Sequence, residues 1–226
     1  MTPQIYLKKV SKYYMDGIHK RKIIENATLT VHKGDFLSIV GESGSGKSTL
    51  LNILSLLDNK FDGDYFIGNT DVRKLNDYQL SQKRRNMIGF VFQDFLLLPN
   101  LTVIENILLQ KEYLTDKQIN KISNEYIEYL ITKTGLKNLI NRYPSQLSGG
   151  QKQRVAISRA LINNPDIIVA DEPTGSLDTE TGKSIISLLK QFNKEGKTII
   201  MVTHDQDVAN MADYKIGIQN REVYEV

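Results

Sequence analysis

The sequence predicts an α/β fold: a mostly parallel sheet, an N-terminal antiparallel β layer and an inserted α-helical subdomain. Three observations carry this expectation. Short apolar runs alternate with helical stretches, the pattern of a parallel sheet covered on both faces. Near the N-terminus, apolar and polar residues alternate one for one instead, as in a half-buried antiparallel layer. From roughly residue 94 to 165, apolar residues recur at helical spacing.

Taken in order, Ile5 and Leu7, then Ala27, Leu29 and Val31, alternate with polar neighbours and form the antiparallel layer. The continuous run Phe36-Leu37-Ser38-Ile39-Val40 is a buried strand. Gly41-Glu42-Ser43-Gly44-Ser45-Gly46 reverses the chain, and a helix starts at Lys47 and carries Ser48, Thr49, Leu50, Leu51, Ile53 and Leu54. Strand, glycine loop and helix in that order make a phosphate-binding loop, so the core is that of a P-loop NTPase. The glycines let successive backbone N–H groups converge on phosphate oxygens, and the helix start adds unpaired donors and a positive dipole end. Lys47 would reach the β- and γ-phosphates of ATP, and the Ser48 hydroxyl would hold Mg²⁺.

Ile88-Gly89-Phe90-Val91-Phe92, Ile167-Ile168-Val169-Ala170 and Thr198-Ile199-Ile200-Met201-Val202 are further buried strands. Between the first two, Thr115-Asp116-Lys117-Gln118 is a capping box, followed by Ile119, Ile122, Tyr126, Ile127 and Leu130 up to Gly135. Pro165 marks the return to the sheet. The expected organisation is one domain over 1–226, with residues 1–93 and 166–226 as core and 94–165 as helical subdomain.

Composition narrows the function classes. Forty per cent apolar and 24% charged residues are ordinary for a globular chain. There is no apolar run of about 18 residues to span a membrane, and no basic-then-apolar leader follows Met1. The absence of cysteine fits a cytosolic setting. A net charge of +3 is too small to argue for nucleic acid, and His19-Lys20-Arg21-Lys22 reads as a solvated loop. His19 and His32 are both assigned to loops.

Asp171 and Glu172 leave the end of a buried strand, where a carboxylate beside a phosphate loop can hold Mg²⁺ and its neighbour can polarise a water. Gln93 ends the strand that starts at Ile88, and His204 follows the last core strand. Leu147-Ser148-Gly149-Gly150-Gln151 opens a helix with Val155, Ala156, Ile157, Ala160 and Leu161. It offers a hydroxyl, glycine N–H groups and a helix start, all suited to an anion.

Together the phosphate loop and the Ser148–Gln151 turn resemble the nucleotide-binding domain of an ATP-binding-cassette transporter, over essentially the whole chain. The resemblance implies that Glu172 is the catalytic base, His204 the switch histidine, and Gln93 a contact to Mg²⁺ and the water. It implies that Ser148, Gly149, Gly150 and Gln151 close on ATP held by a second copy in a head-to-tail dimer. Ser176-Leu177-Asp178 would link the two sites, and Tyr14 would stack on adenine, with Tyr13 as the alternative.

Glu172-Pro173-Thr174-Gly175 and Phe92-Gln93-Asp94-Phe95-Leu96-Leu97-Leu98-Pro99 are similar to a narrower group: the macrolide-efflux, lipoprotein-release, cell-division and antimicrobial-peptide-resistance ATPases. That likeness implies an ATPase on the cytoplasmic face of the membrane, driving a separate permease for export or mechanical work on a peptide, lipid or drug-like substrate. No regulatory C-terminal domain is expected beyond Val226. Gln219-Asn220-Arg221-Glu222 departs from the usual aspartate-glycine turn of relatives and puts a surface hairpin in question. A soluble cassette ATPase of cluster assembly is the competing class; chromosome-type and translation-type cassettes are excluded by the short spacing and the single cassette.

Overall fold

The computed structural model describes residues 2–17, 19–113 and 122–226. Two sheets organise them. The first is four-stranded and antiparallel, in the order β2-β1-β4-β5, built from β1 (Ile5–Asp16), β2 (His19–Val31), β4 (Asp62–Ile67) and β5 (Thr70–Asp71). The second runs β10-β9-β3-β8-β7-β6, from β3 (Phe36–Val40), β6 (Ile88–Val91), β7 (Ile167–Asp171), β8 (Thr198–Val202), β9 (Tyr214–Gln219) and β10 (Glu222–Glu225). β6, β7, β8, β3 and β9 are parallel, and only the edge strand β10 is antiparallel.

Strand periodicity divides the core in two. Leu37, Ile39, Val169, Ile200 and Val202 face the N-terminal layer and helix α1 (Lys47–Leu54), packing with Ile5, Leu7, Ile24, Leu50 and Ile53. Phe36, Ile168, Ala170, Ile199 and Met201 face the other way. There they meet α5 (Gly149–Leu161) and α6 (Thr179–Lys194) through Val155, Ile157, Ile185, Leu189 and Phe192. With side chains alternating between two covered faces, every position in β3 and β8 is buried.

The expected helical segment contains α3 (Val103–Leu108), α4 (Asn124–Lys133) and α5, following α2 (Asp77–Met87). Val103, Ile107, Leu130 and Ile131 join the second core cluster, so these helices pack into the same apolar body as the sheet. α5 lies directly on β6: a Cβ added at Gly89 would sit 2.3 Å from the Ala160 carbonyl oxygen. Thr115–Gln118 and Ile119 lie outside the described residues. α4, which carries Tyr126, Ile127 and Leu130, starts instead at Asn124, with the Ser123 hydroxyl accepting from the Tyr126 N–H.

Two sequence expectations are corrected. His19-Lys20-Arg21-Lys22 is not a loop but the start of β2, paired with Met15, Tyr14 and Tyr13 of β1. Exposed on the sheet, it carries no apolar alternation to mark it as a strand. His19 therefore belongs to β2, whereas His32 does lie in a turn, its N–H donating to Asp35.

The hairpin that the departure at residues 219–222 put in question does form: β9 and β10 pair and are joined by Asn220 (φ 51°) and Arg221 (φ 73°). Two consecutive left-handed residues specify a turn that favours Asn-Gly, and arginine there carries a steric cost in its Cβ. Arg221→Gly is expected to raise the unfolding free energy by about 0.5–1 kcal/mol, net of the added chain entropy. A urea melt checks this, and an unchanged or lower midpoint would contradict the strained-turn account.

Candidate nucleotide site

Four loops leave the same edge of the parallel sheet, at the carboxyl ends of β3, β6, β7 and β8. This is where open α/β sheets place ligands. The loop after β3 is the phosphate loop. Gly44 and Gly46 have φ of 78° and 108°, which side-chain-bearing residues rarely adopt. Gly46 also lies under β2, where a Cβ would come within 3.0 Å of Ile24. Lys47 is 9% exposed, and its ammonium donates to the carbonyls of Gly41 (2.9 Å) and Glu42 (2.7 Å). Ser43 and Ser48 are exposed, and Ser45 and Thr49 partly so.

β7 delivers Asp171 and Glu172. Asp171 is half buried, and its carboxyl is pushed above the ordinary range by burial and by the charge of Glu172, with Lys47 acting in the opposite direction. Glu172 stands at φ 46°, pinned by its N–H to Val202 (3.0 Å) and by the Gly175 N–H to its carbonyl (3.0 Å). Its Oε1 lies 2.8 Å from Nδ1 of His204, which follows β8 through the buried Thr203. Beside a carboxylate, that ring nitrogen carries the proton and donates. Phosphate loop, acidic pair and histidine thus come from three neighbouring strands.

Gln93, after β6, is exposed and leans on the loop that follows Glu172. Ser176 Oγ donates to its carbonyl (3.2 Å), and a Cβ on Gly175 would lie 2.9 Å from its Nε2. Beyond it Phe95 and Leu96 are both left-handed (φ 60° and 47°), and the Arg159 guanidinium of α5 donates to both their carbonyls. Leu96 and Leu98 are 56% and 44% exposed, while Phe95 and Leu97 are partly buried.

The Ser148–Gln151 turn has different neighbours. Ser148 caps α5 in a reciprocal box with Gln151, with contacts of 3.3 and 2.9 Å. Cβ atoms on Gly149 and Gly150 would meet Leu177 at 3.0 Å and Thr181 at 2.4 Å, so both glycines also serve close packing against the 177–182 segment. Asp178 caps α6 by accepting from the Thr181 N–H, which holds its carboxyl below the usual range. Tyr14 is exposed, its hydroxyl 3.4 Å from Asp58 and the Lys12 ammonium 4.9 Å from its ring centre. Tyr13 is more enclosed, with Lys20 at 3.9 Å over the ring.

Sequence reasoning missed one wall. A cavity of about 470 Å³ lies beside residues 41–45, closed by Arg21, Lys22 and Arg221 from β2 and the β9–β10 turn. The basic run at 19–22 was the available signal, but only strand pairing brings it to the phosphate loop.

Comparisons agree with this architecture. The family profile described as ABC transporter matches residues 24–175. The chain is 46% identical to an uncharacterized ABC transporter ATP-binding protein, YvrO of Bacillus subtilis, over 96% of this chain and 94% of that one. It is 42% identical to the macrolide export ATP-binding/permease protein MacB of Mannheimia succiniciproducens, over 97% of its own length but only 34% of that protein's. The chain therefore spans about a third of that relative. Among solved structures it resembles the dimeric, post-hydrolysis state of the cassette MJ0796 bound to ADP and Pi, from Methanocaldococcus jannaschii, with a TM-score of 0.84 and 42% identity, over 98% and 97% of the two chains. With glycine loop, acidic pair and histidine on one sheet edge, the chain belongs to the ABC transporter family and is an ATP-binding, ATP-hydrolysing cassette.

Proposed function

We propose that two copies of this chain close head to tail on two ATP molecules and drive a separate membrane permease from the cytoplasmic face. The substrate class is a peptide, lipid or drug-like molecule that is exported or acted on mechanically. The observation that carries the reading is the Glu172–His204 contact of 2.8 Å, made from the ends of the two successive strands, β7 and β8, beside the phosphate-loop strand. In this reading Glu172 accepts the proton of the attacking water. His204 orients that carboxylate and faces the γ-phosphate, and Gln93 positions the water. Lys47 offsets β/γ-phosphate charge, residues 41–49 supply backbone and hydroxyl donors, and Tyr14 stacks on adenine.

Mg²⁺ fits the residues present. Burial and the charge of Glu172 disfavour the charged form of the half-buried Asp171, with Lys47 opposing them. A hard cation held by Asp171, Ser48 and Gln93 would relieve this and neutralise phosphate charge. No cluster of three or more acidic, histidine or cysteine residues that could hold a metal occurs among the described residues.

The dimer is supported by the dimeric MJ0796 structures and by the Ser148–Gln151 turn, whose hydroxyl and helix start would meet the partner's nucleotide, with Asp178 at the junction. The membrane partner is supported by permease-fused relatives such as MacB and by exposed Leu96 and Leu98 beside Gln93, a surface suited to a partner's helix. Residues 94–165 would then form the helical subdomain that carries both the docking loop and the turn. No helix among the described residues is long and apolar enough to cross a membrane.

Glu172→Gln should bind ATP normally yet hydrolyse it about 10²–10⁴-fold more slowly, because the amide cannot accept the proton. Steady-state turnover near the wild-type rate would contradict the assignment. Mixing the inactive variants Lys47→Ala and Ser148→Arg should restore hydrolysis by rebuilding one of the two composite sites. Mixed dimers with no activity would argue against such sites. A third expectation concerns the nucleotide-free chain. The raised folded-state pKa of Asp171 means that the native state binds more protons than the unfolded one, so this group's contribution to stability falls as pH rises above about 3.8. Asp171→Asn should therefore raise the melting temperature at pH 7 while weakening Mg²⁺-dependent turnover, and a lower melting temperature would count against this balance.

A further inference from the structure

Gln153 lies in the second turn of α5 and is fully buried. Its side-chain amide faces two main-chain carbonyls, Pro173 at 2.8 Å and Phe92 at 3.4 Å. Both neighbours are acceptors, so the amide nitrogen must face them. Its Oε1 is then buried without a donor among the described residues. An orphaned buried acceptor is costly, and a methionine or leucine filling the same space would not carry it. Packing alone therefore does not account for a glutamine here.

The location of the two carbonyls supplies a reason. Phe92 immediately precedes Gln93, and Pro173 immediately follows Glu172. The same two loops also touch through Ser176 and Gln93 and through the bare backbone at Gly175. Two residues before Gln153, Gln151 closes the capping box of the Ser148–Gln151 turn.

We propose that Gln153 is a positioning residue for hydrolysis. By donating to both carbonyls it sets the separation of Gln93 and Glu172, and it ties that separation to the helix whose first turn meets the other subunit's nucleotide. The proposal rests on the roles proposed above for Gln93, Glu172 and that turn. Closure of α5 on the partner's ATP is thereby transmitted to the water-activating pair of the same subunit.

The test uses the whole chain with Gln153→Met and Gln153→Glu, and Glu172→Gln as control. Gln153→Met should lower kcat by about tenfold or more, while the Kd for a fluorescent ATP analogue changes by less than about twofold. Burial against carbonyls favours the protonated form of a glutamate, whose O–H restores one donor. The ratio of Gln153→Glu to wild-type kcat should therefore fall as pH is raised from about 6 to about 9. A kcat for Gln153→Met within about twofold of wild type, an equal loss of nucleotide affinity, or a pH-independent ratio overturns the proposal. Should Gln153→Met not fold, the Gln153→Glu ratio decides alone. Normal hydrolysis by Glu172→Gln would instead overturn the underlying roles, whatever the Gln153 variants do.

Discussion

The parallel pairing of β3, β8 and β7 is the constraint from which the rest of the molecule follows. Phe36 pairs with Ile199, and Ile167 with Thr198, so the three strands finish within one residue of one another at their carboxyl ends. Each strand is covered on both faces, and each fully buried Ile, Val or Leu contributes roughly 1.5–3 kcal/mol. A register slip of one residue would exchange the two apolar faces at once. The chemistry is therefore attached to the least deformable part of the fold. Glu172 and His204 lie one and two residues beyond buried strand ends, and Lys47 follows β3 across the phosphate loop.

The loops between those ends are held differently. Phe95, Leu96 and Glu172 occupy left-handed backbone conformations that cost such residues on the order of 1–3 kcal/mol each. Each is held by specific hydrogen bonds: Arg159 to the first two, Val202 and Gly175 to the third. Arg159 is itself buried, with no carboxylate partner among the described residues, and burial lowers its pKa. The 95–96 loop is thus held by a side chain of α5, and the Glu172 loop by backbone bonds together with the Gln153 amide on the Pro173 carbonyl. α5 supplies Arg159 and Gln153 to these loops and begins at the Ser148–Gln151 turn.

Much of this was legible in the sequence because the informative patterns are local. The phosphate loop, Asp171–Glu172 and His204 each follow directly from an apolar strand, and strand, loop and helix succeed one another without interruption. What escaped notice depends on contacts far apart in sequence or on weak amphipathicity. α2 buries only Leu80 and so shows no apolar stripe, although its Asn76–Gln79 capping box was readable. Arg21 and Lys22 read as a solvated loop, since an exposed strand need not alternate. Gln153 and Arg159 sit among apolar residues of a helix, and nothing in their spacing reveals partners 61 and 64 residues away in the 92–96 loop or, for Gln153, 20 residues away at Pro173. The Ser148–Gln151 turn was recognisable, but the packing role of its glycines against Leu177 and Thr181 needed the fold.

The central claim is that one chain holds two halves of different sites, so hydrolysis needs two chains. Its most direct test is ATPase activity per chain over a wide dilution series, with oligomeric state followed by light scattering at each concentration. The account predicts that specific activity falls with dilution in step with the loss of dimer and vanishes for the monomer. Constant specific activity across a range in which only monomer is present would contradict it.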